Sequence, residues 1–131
     1  MTDSIATSFI IASVDPKALA DFYAFVGNGR VSQGLTSDHF LIIYRESFKI
    51  QIYKHSVDRS FCFKGSESCS ICFQKEPNSN PLLVLQEWCK EISLYGCMVS
   101  ELPRLESFGA EAWFLDPEGN RFALFVPRKN K

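Results

Sequence analysis

Long apolar runs are missing from this sequence. No stretch approaches the roughly 20 consecutive apolar residues that a bilayer-spanning helix needs. The run Phe9–Ala12 is too short for the apolar core of an export signal, and Met1-Thr2-Asp3-Ser4 carries no basic residue. A cytoplasmic protein is expected, with no membrane among its partners. An excess of one charge is missing too. Fourteen basic and 15 acidic side chains leave a net charge of -1. That balance exerts no general pull on nucleic acid. Lys49, Lys54, Arg59 and Lys64 are scattered and read as a solvated face rather than a nucleic-acid stripe. There is no glycine-rich phosphate loop and no G-x-S-x-G elbow. Histidine is scarce: His39 and His55 sit at strand or loop edges, outside any His-x-x-x-His pattern, and a surface role is expected for both.

The cysteines are five, Cys62, Cys69, Cys72, Cys89 and Cys97, an odd number that suits reduced thiols in a cytoplasm-like compartment. Cys69-Ser70-Ile71-Cys72 fits the C-x-x-C spacing. On a strand, however, residues three apart point to opposite faces, so the two sulfurs would diverge. Packing thiols are the expected reading.

What is present suits one globular domain. The 131 residues are 46% hydrophobic and 22% charged, with 12 phenylalanines to pack an interior. Ser8–Val14 is short, apolar and rich in β-branched residues, as in a strand. Asp15 at N-cap and Pro16 at the first helical position then open a helix. Ala18, Leu19, Phe22, Tyr23 and Val26 follow at helical spacing, and Gly27-Asn28-Gly29 ends it. Phe40–Tyr44 and Phe48–Tyr53 read as strands joined by Arg45-Glu46-Ser47. Phe61–Lys64 is a further short strand or a linker, and Gly65–Ser68 is turn-like.

The order then repeats. Cys69–Gln74 reads as a strand, Pro77–Pro81 as a breaker cluster, and Leu82–Tyr95 as an amphipathic helix. Cys97–Glu101 reads as a strand followed by a loop containing Pro103. Ala110–Leu115 and Arg121–Val126 are strands joined by Asp116-Pro117-Glu118-Gly119-Asn120, a joint rich in turn chemistry. Arg128–Lys131 is a charged tail expected to fray. The expected class is α+β: one domain of two βαβββ modules, about residues 5–64 and 67–128, pairing into a curved mixed sheet with both helices on the outer face.

Two stretches resemble a known superfamily. Phe9-Ile10-Ile11-Ala12-Ser13-Val14-Asp15-Pro16-Lys17-Ala18-Leu19-Ala20-Asp21-Phe22-Tyr23 resembles the first strand and helix of the vicinal oxygen chelate proteins. Trp113-Phe114-Leu115-Asp116-Pro117-Glu118-Gly119-Asn120-Arg121-Phe122-Ala123-Leu124 resembles their last hairpin. These glyoxalase, bleomycin-resistance and dioxygenase-like proteins include many that bind a divalent metal on the concave sheet face through His and Glu. Carried onto this chain, the resemblance puts the metal-ligand positions at Ser8, Gln51, Ser70 and Ala123. A catalytic divalent site needs about three ligands drawn from imidazole, carboxylate and thiolate. Ala123 offers no donor and the serine hydroxyls are weak ligands. No metal and no other cofactor is therefore expected.

Strand alternation anchored on those four positions places Ile10, Ala12, Lys49, Tyr53, Cys72, Gln74, Arg121 and Phe125 on the same face, with Trp113 beside them. Lys49, Gln51, Tyr53, Trp113 and Arg121 are the expected ligand-binding residues, with Lys49 or Arg121 able to hold an anionic group. The resemblance thus implies a metal-independent small-molecule-binding protein of the bleomycin-resistance type, and a homodimer. A metal-dependent lyase, isomerase or dioxygenase with an atypical site is the alternative. A structural module with a filled cup is the third.

Overall fold

Alternation of buried and exposed side chains sets the architecture. The computed structural model describes residues 5–45, 48–54 and 69–130. The chain divides into two compact units, Met1–Cys62 and Phe63–Lys131, here called modules one and two. Each runs strand, helix, then three strands. Module one contains β1 (Phe9–Ser13), α1 (Pro16–Gly27), β2 (Arg30–Gln33), β3 (His39–Ile43) and β4 (Lys49–Lys54). Module two contains β5 (Ile71–Gln74), α2 (Pro81–Ser93), β6 (Met98–Glu106), β7 (Gly109–Leu115) and β8 (Arg121–Pro127). The expected α+β class and duplicated βαβββ order are both present. Phe61–Lys64, Gly65–Ser68 and His55 lie outside the described residues, as do Glu46 and Ser47 of the expected hairpin joint.

In module one the strand order is β1-β4-β3-β2. β1 runs parallel to β4, and the other pairs are antiparallel. Ile42, Ile50 and Ile52 are fully buried, and Leu19, Phe22, Tyr23 and Val26 of α1 are buried with them. The helix starts where Asp15 accepts the Ala18 N–H, while the Ser13 hydroxyl accepts the Asp15 N–H at 2.9 Å. It stops at Asn28, which takes the left-handed conformation at φ 55° that Asn tolerates. Tyr44 donates its hydroxyl to the Tyr23 carbonyl at 2.7 Å, and burial raises its pKa.

Module two repeats the plan with order β5-β8-β7-β6 and a parallel β5–β8 pair. Leu85, Trp88, Cys89 and Ile92 of α2 are buried together with Ala110, Ala112 and Phe114 of β7 and Phe122, Leu124 and Val126 of β8. The two alanines leave room for the large helix residues. Burial pushes the Cys89 thiol up to about 12, and nearby Cys97 adds to the shift. A protonated, buried Cys89 acts as a packing group.

Three sequence expectations need correction. β2 was not foreseen, because Arg30–Gln33 is only four residues long and carries a single aliphatic side chain. The segment around Pro103 is not a loop: β6 continues to Glu106, and register shifts between Val99 and Arg104 accommodate the proline. The tail does not fray at its start. Arg128 N–H bonds the Phe108 carbonyl, Lys129 N–H bonds the Asn78 carbonyl, and Asn78 forms an isolated bridge with Arg128.

The β7–β8 turn is built around one carboxylate. Asp116 is 3% exposed. Its Oδ1 accepts the N–H groups of Glu118 at 2.8 Å and Asn120 at 2.9 Å, and its Oδ2 accepts the Asn120 side-chain amide at 2.8 Å. Gly119 supplies the positive φ of 89° that closes the turn. Asp116→Ala should lower unfolding free energy by about 2–3 kcal/mol, since it orphans several charge-assisted bonds. Asp116→Asn should lose less, because Oδ1 keeps both backbone donors. Urea denaturation of the two variants checks the order.

Candidate functional site

A sheet covered by a helix on one side presents its alternate residues on the other. In module one that open face carries Ile10 and Ala12 of β1, Lys49, Gln51 and Tyr53 of β4, His39, Leu41 and Ile43 of β3, and Arg30 and Ser32 of β2. Ser8 precedes β1 with the same parity. Ile10 is 59% exposed although it is aliphatic, and Tyr53 is 41% exposed. The strands of module one contain no Asp or Glu, so this face carries cations and no described strand carboxylate.

Its polar centre is a chain of three side chains. Gln51 Nε2 donates to Ser8 Oγ at 2.7 Å. His39 Nε2 lies 2.9 Å from Gln51 Oε1. The other ring nitrogen, Nδ1, accepts the Leu35 backbone N–H at 2.8 Å. A backbone N–H can only donate, so Nδ1 must hold the lone pair. The hydrogen of the neutral ring then sits on Nε2 and donates to Gln51. The order is Leu35 N–H to His39, His39 to Gln51, Gln51 to Ser8. His39 is half-buried, not the solvent-facing group expected from its place at a strand edge.

The short connection between β2 and β3 holds this histidine. Its backbone N–H donates to the Thr36 carbonyl at 3.2 Å, and its carbonyl accepts from the Gly34 N–H at 2.7 Å and from Gln33 Nε2 at 3.0 Å. Gly34 passes directly against the imidazole, and a Cβ there would overlap ring atoms including Nδ1. A glycine is needed here for the close approach rather than for an unusual φ.

The open face of module two is differently charged. It carries Cys72 and Gln74 of β5, Arg121, Ala123 and Phe125 of β8, Glu111 and Trp113 of β7, and Glu101 and Arg104 of β6. The Arg121 guanidinium lies 4.0 Å from the centre of the Trp113 ring and is paired with Glu101. Arg104 is paired with Glu101 at 2.8 Å, Glu106 at 2.9 Å and Glu111 at 2.6 Å. Both guanidinium groups are thus countered by carboxylates of their own module. Desolvation, with Glu111 adding to it, raises the Cys72 pKa and holds that thiol in its protonated form. Ser70 is exposed just before β5, and Ala123 is buried on β8.

Of the expected site residues, Lys49, Gln51 and Tyr53 share one open face, and Trp113 and Arg121 stack on the other. His39, Glu101, Arg104 and Glu111 were missed. A metal fits the four family positions poorly. Ala123 has no donor atom, Gln51 is bonded through both ends of its amide, and Ser8 accepts one of those bonds. Among the described residues, no group of three or more His, Cys, Asp or Glu side chains gathers closely enough to hold a metal ion.

No protein-family profile and no curated protein sequence matches the chain. Solved structures do. A glyoxalase/bleomycin resistance protein/dioxygenase family enzyme from Burkholderia phytofirmans PsJN is similar with a TM-score of 0.75 at 15% identity, over 92% of this chain and 96% of that one. The chain has the glyoxalase/bleomycin-resistance fold. Fosfomycin resistance protein FosX from Listeria monocytogenes, in a complex with Mn(II) and 1S,2S-dihydroxypropylphosphonic acid, gives 0.69 at 16% identity over 96% and 92%. Hypothetical protein SA1046 from S. aureus gives 0.70 at 14% identity over 93% and 96%. The resemblance to the vicinal oxygen chelate superfamily therefore holds at the level of fold. No helix among the described residues is long and apolar enough to cross a membrane.

On this fold the tight contact at Gly34 makes a direct test. Gly34→Ala should cost about 1–3 kcal/mol through overpacking and move the His39 ring away from Gln51. Chemical denaturation reads the first effect. Displaced His39 and Gln51 side-chain resonances read the second.

Proposed function

We propose that the protein binds a small, partly aromatic organic molecule on an open sheet face, without a catalytic metal, in the manner of bleomycin-resistance proteins. The observation that carries this reading is the bond between Ser8 and Gln51. At two positions where the family resemblance expects metal ligands, the side chains are hydrogen-bonded to each other, and His39 completes the set. The amide oxygen of Gln51 is already committed to imidazole. A divalent cation there would compete with His39 for the Gln51 oxygen and would find only neutral donors.

The composition of the faces supports an organic ligand. The face of module one offers Ile10 and Tyr53, that of module two offers Phe125 and Trp113, and each carries a few polar groups that could orient a molecule. The proposed state is a homodimer, as the family resemblance implies, in a cytoplasmic setting. The competing reading is a lyase, isomerase or dioxygenase with an unusual metal site. The Mn(II) in the Listeria FosX structure gives that reading its substance, but the donor set of this chain does not favour it.

A thermal-shift screen of aromatic antibiotics and metabolites should find compounds that raise the melting temperature. Ligand at a hundred times its dissociation constant stabilises by about 2.7 kcal/mol. Trp113→Ala should remove most of that response. Protein offered Mn, Fe, Ni and Zn in turn, then desalted, should retain less than stoichiometric metal. Stoichiometric metal lost on changing Ser8 or Gln51 would overturn the reading in favour of the enzyme. No response to any compound would favour a structural module.

A further inference from the structure

The hydrogen-bond chain on module one has a direction, and that direction selects the ligand group it can meet. The Leu35 backbone N–H cannot reverse, so it fixes His39 as an acceptor at Nδ1 and a donor at Nε2. Gln51 must then present its oxygen to His39 and its NH2 to Ser8. Ser8 Oγ therefore receives a hydrogen bond, and its own proton meets no acceptor among the described residues. Accepting a bond polarises a hydroxyl and makes it a better donor. Had the chain run the other way, Ser8 would donate to Gln51 and offer a ligand only its lone pairs.

The charge around this hydroxyl points the same way. The β1–β4 register pairs Phe9 with Ile50, which puts Ser8 beside Lys49 one residue earlier on each strand. Lys49 is exposed and makes no ion pair with any described residue. Arg30 is on the same face, and the strands of module one contain no carboxylate. Module two differs, because Arg104 and Arg121 are already met by Glu101, Glu106 and Glu111. Of the two cations expected to hold an anionic group, Lys49 and Arg121, Arg121 is met by Glu101, while Lys49 has no ion-pair partner among the described residues.

We infer that the open face of module one is an oxyanion subsite, taking a carboxylate or phosphonate group of the bound organic molecule. Ser8 donates to an anionic oxygen and Lys49 supplies the opposite charge. His39 and Gln51 are positioning residues: they aim the Ser8 hydroxyl without touching the ligand. They do not shuttle protons, since an amide passes a proton only by tautomerising. This inference rests on the proposed ligand-binding reading and adds which chemical group goes where.

The test is an NMR titration of the full chain with benzoate, phenylphosphonate and neutral benzamide at matched ionic strength. Both anions should shift the backbone amides of Ser8–Ile10 and Lys49–Gln51 and bind more than about tenfold more tightly than benzamide. Ser8→Ala and Lys49→Met should each weaken the anions by about tenfold, as expected for loss of one charge-assisted contact, with benzamide little changed. His39→Ala should weaken the anions as Ser8→Ala does, leaving the part of the preference that Lys49 supplies, while benzamide binding persists. Ring ¹⁵N shifts should show the hydrogen of His39 on Nε2. Equal binding of benzamide and benzoate, or a His39 hydrogen on Nδ1, would overturn the subsite and leave the ligand-binding reading standing. If none of the three probes perturbs an open face of either module, that reading falls and the subsite falls with it.

Discussion

Each sheet is obliged to bury one face under its own helix, and the other face follows from that. In module one the buried side chains are Ile42, Ile50 and Ile52, all inaccessible to solvent. Side chains alternate along a strand, so burying these three turns Leu41, Gln51 and Lys49 outward. A slip of one residue would put Gln51 and Lys49 under α1 and the isoleucines in water. The core thus decides which side chains a ligand could meet. The same holds in module two, where burying Phe114, Phe122 and Leu124 presents Trp113 and Arg121.

This coupling explains what could be read from the residues alone. Asp15-Pro16 and Asp116–Asn120 are local signals, and both turned out to do the local work their chemistry suggests. Ile50 and Ile52 against Lys49, Gln51 and Tyr53 is a period of two, visible without a structure. What stayed hidden depends on contacts between segments. His39 bonds Gln51, twelve residues away, across the β3–β4 pairing, with Gly34 of the β2–β3 connection against its ring. The partner of Arg121 is Glu101, whose pairing depends on a shifted register around Pro103. The four residues of β2 are too short and too polar to declare a period.

The two modules share a plan and differ on their open faces. Polar groups at the centre of the first open face are joined in a line ending in a hydroxyl. On the second, a buried alanine sits between an arginine on an indole and a set of ion pairs. Similarity to FosX and to the Burkholderia enzyme reaches across most of the chain, yet the fold alone does not carry an activity with it. The side chains on the open faces decide that, and among them Gln51 is bonded to Ser8 and His39 while Arg121 is paired with Glu101.

The irregular course of β6 has a consequence beyond its own sheet. It is an end strand in the order β5-β8-β7-β6 and, at nine residues, the longest strand among the described residues. A strand of that length at a sheet margin would offer a continuous row of amides and carbonyls to any passing chain. Pro103 removes one donor from the row, and the shifts between Val99 and Arg104 break its spacing. Leu102 and Leu105 can therefore remain exposed on a margin that is a poor template for runaway self-association.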